Sequence, residues 1–251
     1  MLSGRRCPPS VWSCKLVVMR LPVRFFASLA VVAALALSAG IPGQAQSNAS
    51  PTAGNGTYIA VDPLANVRYD NRFDLSLGMA YARIKAGPTL LHGADLGGLD
   101  LNGSYWFSKH WGLEGSGRGY LGTSGAAPNT LSIKGPFVSQ YIFAAGPEWL
   151  GPHNKHGALI AHALAGGAYG NFQTDLHGNS PALIDFYNNQ IAPAAIFGGH
   201  IDLNRSARWV FRITPDALYT RYSINYPPNA SYNNWHFGIS VGVEYKFKKK
   251  R

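Results

Sequence analysis

The sequence predicts an all-β protein, an eight-stranded antiparallel up-and-down barrel that spans a membrane. Three observations predict it: runs of residues alternate between apolar and polar, eight such runs follow one another, and short and long connections alternate between them. Side chains that alternate with a period of two are the mark of β-strands. Alternating short and long connections are typical of barrels with short turns on one side of the membrane and longer loops on the other.

The last strand shows the alternation most clearly. Every odd position of this run is apolar and no even position is, in the order Trp235, Phe237, Ile239, Val241, Val243, Tyr245, Phe247 against His236, Gly238, Ser240, Gly242, Glu244, Lys246. A thirteen-residue run is longer than the usual strand of a soluble protein, and it suits a tilted transmembrane strand.

Seven weaker runs precede it. We expect these strands at 73–81, 99–107, 111–118, 137–149, 158–169, 191–203 and 209–222. The gaps at 108–110, 150–157 and 204–208 are short, and those at 84–98, 123–136, 170–190 and 223–234 are long. An even number of strands returns the chain to its starting side, so both termini are expected on the side of the short turns, the periplasm.

Charge composition excludes a nucleic-acid binder. The formal net charge is +10, but of the 22 Lys and Arg residues five precede residue 45 and five lie at 246–251. The region between holds 12 basic residues against 12 acidic ones. No basic face remains there to follow a phosphate backbone.

The N-terminal region reads as a cleavable signal peptide over residues 1–45. Arg20 and Arg24 precede an apolar stretch, and Gly43-Gln44-Ala45 forms a small-x-small cleavage site. Translation could start at Met1 or at Met19. We expect a flexible periplasmic segment at 46–72, the barrel at 73–247 and a basic periplasmic tail at 248–251. Both cysteines, Cys7 and Cys14, lie upstream of Met19, so the mature protein is expected to have none.

The alternation alone does not say which face of the barrel is apolar. In a soluble, lipocalin-like barrel the apolar residues would point inward. Here the polar phase carries the charged residues, and aromatic residues of the apolar phase collect at strand ends, as Trp235 and Tyr245 do. Aromatic girdles at two membrane interfaces explain that placement, so we assign the apolar phase to lipid and the polar phase to the lumen.

The C-terminal residues resemble a known assembly signal. Ser240-x-Gly242-x-x-Tyr245-x-Phe247 is similar to the signal that ends the small outer-membrane β-barrel family, which includes the OmpA transmembrane domain and OmpX-like proteins. The resemblance covers about residues 73 to 247 and implies a bacterial outer-membrane location. It also implies outer-membrane lipid, the barrel-assembly machinery and periplasmic chaperones as partners. The basic residues after Phe247 depart from the family pattern.

The lumen charges are the candidate functional residues. A tight turn at Lys109 places Asp100 opposite Arg118, and matching the ends of the last two strands places Arg212 opposite Glu244. Because an eight-stranded barrel is only wide enough for its own side chains, we interpret these as ion pairs that plug the lumen. The function expected is then a structural, membrane-integrity role without catalytic residues, cofactor or metal.

Three alternatives stay open. The long loops carry aromatic and Asn residues suited to surface adhesion or ligand binding, a small pore is conceivable, and lipid-modifying enzymes also exist on such barrels. Deacylases of that kind carry a His-x-Ser pair, which this sequence lacks. His162, His200 and His236 lie in predicted strands, but none has another histidine at metal-ligand spacing in the sequence, so we expect isolated histidines.

Overall fold

The computed structural model describes residues 62–90, 93–126, 135–226 and 229–247. Its eight strands are β1 (Phe73–Ile84), β2 (Ala94–Trp106), β3 (Trp111–Thr123), β4 (Phe137–His153), β5 (Gly157–Asn171), β6 (Gln190–Asn204), β7 (Trp209–Ile224) and β8 (Ala230–Lys246). Each strand pairs antiparallel with the next, and β1 pairs with β8 to close the barrel. The predicted fold class is confirmed. The expected signal peptide and the basic tail at 248–251 lie outside the described residues.

Strand ends differ from the expected ones at two long loops. β2 begins at Ala94, and β8 begins at Ala230. Small residues such as Gly97 and Gly98 hide the alternation at the start of β2, and polar outward residues such as Ser231 and Asn233 hide it in β8. The connection expected at 223–234 is therefore a short turn between Ile224 and Ala230, and the expectation of a long loop there is wrong.

The outer surface of the barrel is apolar, as the phase of the sequence predicted. Large side chains are widely exposed there, among them Met79 at 77%, Phe143 at 68% and Ile191 at 80%. Apart from the irregular end of β4 between Leu150 and His153, the even-numbered positions of the eight strands point into the lumen, and the charged ones among them are buried. A barrel with this outer surface is suited to lipid rather than to water.

Aromatic residues mark both rims of the apolar surface. Near the short turns the rings of Trp209 and Tyr245 lie 4.9 Å apart, and near the long loops those of Tyr219 and Trp235 lie 5.2 Å apart. Trp235 and Tyr245 are ten residues apart on β8. At ~3.3 Å per residue and a tilt of about 40°, this corresponds to a height of about 25 Å, the thickness of the apolar band of outer-membrane barrels.

Helices contribute little to the described structure. One short 3-10 helix, Pro181–Leu183, lies in the connection between β5 and β6. Among the described residues, no helix is long and apolar enough to cross a bilayer.

Candidate functional site

The lumen is charged at one end of the barrel and apolar at the other. Towards the short turns its walls carry acidic, basic and histidine side chains, and towards the long loops they carry alanine, aliphatic and aromatic ones. On β7, for example, Arg212 and Asp216 lie in the charged part, while Leu218, Tyr222 and Ile224 lie in the apolar part. The sequence predicts a polar core in the lumen, whereas the half near the long loops is apolar.

Arg212 joins three strands across the charged part of the lumen. Its Nε and Nη2 donate to the two carboxylate oxygens of Asp202 on β6, at 2.7 and 2.9 Å. Nη2 also donates to Glu244 Oε2 on β8 at 2.7 Å. The three side chains are at most 3% exposed. This fork-shaped contact is the strongest kind of charged hydrogen bond in proteins.

The register between β7 and β8 differs from the expected one by two residues. Arg212 lies opposite Gly242, and Glu244 lies opposite Val210. The expected direct cross-strand position of Arg212 and Glu244 is therefore wrong, although the two side chains meet diagonally. A shift of two residues keeps every side chain on its face, and an arginine is long enough to reach the diagonal neighbour.

Arg118, on β3, is the centre of a second group of charged side chains in the lumen. It lies opposite Asp100, as the turn at Lys109 predicted. Arg118 Nε lies 3.3 Å from Asp100 Oδ1, and Arg118 Nη1 lies 2.5 Å from Asp216 Oδ2 on β7. Ser240 Oγ donates to Asp100 Oδ2 at 2.5 Å. The four residues thus link β2, β3, β7 and β8 through the interior.

The histidines of β5 and β6 meet in the lumen. His162 Nδ1 lies 3.2 Å from His200 Nε2, and both nitrogens lie close to Glu114 Oε2, at 2.8 and 3.1 Å. The expectation of isolated histidines is wrong for this pair, and the three ligand atoms lie close enough together to be candidates for holding a metal ion. The available signal in the sequence was that positions 162 and 200 are both even-numbered and lie on neighbouring strands, so both side chains face the lumen. The long β5–β6 connection left their register open.

Aromatic side chains fill the lumen at the long-loop end. Phe172 and Tyr187 come from the β5–β6 connection and pack on Tyr222 of β7, with ring centres 5.1 and 5.5 Å from it. Gln140 donates to Tyr222 Oη at 2.8 Å. Phe172, Phe186 and Tyr187 are fully buried. The adhesion hypothesis supposed exposed aromatic residues in the long loops. These three are buried and are therefore not available for recognition at the surface.

Residues just before β1 cover the short-turn end. Tyr69 Oη donates to the Asn154 carbonyl at 3.0 Å and accepts from Asn204 Nδ2 at 2.7 Å. The ammonium of Lys246 lies 4.2 Å from the Tyr69 ring centre. Partial burial raises the pKa of the Tyr69 hydroxyl. Tyr69, which belongs to the segment expected to be flexible, thus contacts the β4–β5 turn and the ends of β6 and β8.

The residues of the expected assembly signal divide between the two faces of β8. Ser240 and Gly242 face the lumen side, and Gly242 lies opposite Gly78 where β8 closes on β1. Tyr245 and Phe247 face outward, with ring centres 5.0 Å apart. The motif thus includes one residue at the β1–β8 pairing, Gly242, and two outward aromatic residues, Tyr245 and Phe247.

Two small cavities lie in the charged part of the lumen. A cavity lined by Ser76, Asp100, Arg212 and Ser240 measures about 10 Å³. Another one, beside Tyr69 and Trp106, also measures about 10 Å³. Each has room for about one water molecule. Fold and lumen together define the class: a small transmembrane β-barrel that carries buried charged side chains in its described interior.

Solved outer-membrane proteins have a similar fold. The outer membrane protein OprG of Pseudomonas aeruginosa is 14% identical and covers 73% of this chain and 99% of its own, with a TM-score of 0.48. The attachment invasion locus protein Ail of Yersinia pestis is 18% identical, covers 70% and 99%, and has a TM-score of 0.44. Neisserial surface protein A is 17% identical, covers 70% and 97%, and has a TM-score of 0.40. No protein-family model and no curated protein matches the chain.

Proposed function

We propose that this protein is a non-conducting, non-enzymatic barrel of a bacterial outer membrane that contributes to the structure and integrity of the envelope. The observation that carries the proposal is the filled lumen, in which Arg212 connects β6, β7 and β8 through Asp202 and Glu244. Ions need a continuous water-filled path, and an eight-stranded barrel with packed side chains leaves none.

The apolar outer surface supports membrane residence. Its exposed residues would face lipid hydrocarbon, and the aromatic rims would lie at the headgroups. The start of β1 and the end of β8 lie together at the short-turn end, where Asp74 is opposite Lys246. In outer-membrane barrels that end faces the periplasm, so we place both termini there. Outer-membrane lipid, the barrel-assembly machinery and periplasmic chaperones are the partners this placement requires.

Burial of the loop aromatics favours the structural role over surface binding. Phe186 and Tyr187, which would anchor a ligand if exposed, instead close the long-loop end of the lumen. They stabilise the barrel through apolar burial, at about 25 cal/mol per Å².

A conductance measurement tests the proposal. Protein extracted from the membrane and shown to be folded by its electrophoretic mobility before boiling is added to planar lipid bilayers. We expect no stable conductance steps, and a sixteen-stranded porin added under the same conditions serves as the positive control. Stable steps from the folded protein would overturn the proposal.

A further inference from the structure

Glu114, His162 and His200 form a buried cluster in the lumen, here called the carboxylate–histidine centre. They come from β3, β5 and β6, and all three side chains have 0% exposure. Glu114 Oε2, His162 Nδ1 and His200 Nε2 form a triangle with sides of 2.8, 3.1 and 3.2 Å. We propose that this centre binds a divalent transition-metal ion of the zinc type and connects three strands inside the barrel.

The neighbours of the two histidines direct their free nitrogens towards the centre. His162 Nε2 lies 2.9 Å from Asp216 Oδ1, and a carboxylate can only accept, so Nε2 carries the hydrogen. His200 Nδ1 lies 2.8 Å from Thr214 Oγ1, which can accept its hydrogen. In the tautomers that donate to Asp216 and Thr214, the lone pairs of His162 Nδ1 and His200 Nε2 point at Glu114. Histidines that bind a metal through one ring nitrogen characteristically donate a hydrogen bond from the N–H of the other one.

In these tautomers, a cation between the three inner atoms would stabilise the centre. Two imidazole lone pairs and a carboxylate oxygen repel one another when they converge in a buried place. Around a tetrahedral zinc ion with bonds of about 2.0 to 2.1 Å, ligand atoms lie roughly 3.3 to 3.4 Å apart. The triangle is thus a few tenths of an ångström from that geometry, which small side-chain rotations can supply.

The surrounding charge also favours a cation. Among the described residues, seven buried carboxylates face the lumen against three buried cationic groups of arginine and lysine. The acidic residues are Asp74, Asp100, Glu114, Glu148, Asp202, Asp216 and Glu244, and the basic ones are Arg118, Arg212 and Lys246. Glu114 Oε1 is buried without a hydrogen-bond partner in the described structure, so it is available as a further metal ligand.

Imidazole nitrogens and one carboxylate oxygen select the class of ion. They suit zinc and its neighbours in the first transition row, whereas calcium and magnesium prefer oxygen ligands. Full burial, without room for a substrate, assigns the ion a structural role rather than a catalytic one. The inference goes beyond the proposed envelope role and stands independently of it.

Metal content measured on the full protein tests the inference. Protein carrying an affinity tag without histidine is extracted from membranes, loaded with Zn²⁺ or Co²⁺, passed over a desalting column and analysed by elemental mass spectrometry. We expect about one ion per folded chain, the visible absorption of tetrahedral Co²⁺, and a higher unfolding temperature with metal than with chelator. His200→Ala and Glu114→Gln should each lower the retained metal at least tenfold.

His236→Ala is the matched control. His236 is also buried in the lumen, bonded to Thr220 at 3.1 Å, but it lies outside the centre. This variant should keep the full metal content. A folded wild-type barrel that retains neither ion would overturn the proposal and leave a proton as the cation shared by His162 and the carboxylates. Equal retention by wild type and by folded Glu114→Gln protein would overturn it as well.

Discussion

Replacing Arg212 by alanine should destabilise the barrel more than any exposed charge change. Arg212 holds both Asp202 and Glu244, and it is at most 3% exposed. Its removal leaves two carboxylates buried without their arginine, beside a cavity with room for about one water molecule. Losing one partner of a buried ion pair typically costs about 3 to 5 kcal/mol, and the loss of a group shared by two carboxylates should lie at the upper end of that range.

Glu244→Gln provides the comparison within the same group. The amide keeps the size of the side chain and an oxygen that can accept from Arg212, and Arg212 keeps its two bonds to Asp202. Only one charge is lost, from a lumen that already holds excess carboxylates. We expect a cost of about 1 to 2 kcal/mol.

An exposed pair supplies the outer control. Arg83 and Asp95 lie 3.8 Å apart with side chains 45% and 59% exposed. Pairs of this kind contribute about 0.2 to 1 kcal/mol, so Arg83→Ala should change stability little. The three variants are refolded into lipid vesicles and unfolded with urea, and tryptophan fluorescence follows the transition. Stability loss for Arg212→Ala that is no larger than for Glu244→Gln would refute the reasoning.

Two further predictions concern β8. Changing Tyr245 and Phe247 together to Ser should leave unfolded protein in the periplasm, because the pair would anchor the interface and complete the assembly signal; normal amounts of folded protein in the outer membrane would contradict this. Gly242→Ala should weaken barrel closure, because a Cβ there would overlap the Leu77 carbonyl oxygen where β1 pairs with β8. Gly97→Ala is the control, because the space around its Cβ position is open. It should unfold at the same urea concentration as the wild type.

The sequence predicted the strands and their faces because lipid imposes one simple pattern on every strand. It also predicted the β2–β3 register, since the short turn around Lys109 leaves little freedom and brings Asp100 opposite Arg118. The β7–β8 register was wrong because Trp209 and Tyr222 were matched with Phe247 and Trp235. In the structure Trp209 lies opposite Tyr245, and β8 begins at Ala230. Polar residues beyond the apolar band give no alternating signal.

Contacts inside the lumen were harder to predict. The carboxylate–histidine centre joins residues of three strands, and its geometry depends on side-chain lengths and on a register that the β5–β6 connection does not reveal. Phe172 and Tyr187 were expected in exposed loops, although they lie in the barrel mouth. Apolar residues in a connection gain from burial wherever a neighbouring cavity accepts them, and a sequence does not show that cavity.

The central claim is that the odd-numbered side chains face lipid and the even-numbered ones fill the lumen. Spin labels on single cysteines at position 79, an outward residue that is 77% exposed, and at position 156 in an exposed short turn test it most directly. In lipid vesicles, the label at 79 should collide with dissolved oxygen and be shielded from aqueous nickel complexes, while the label at 156 should be open to nickel. A label at 79 that is as open to nickel as the one at 156, in folded protein, would contradict the account.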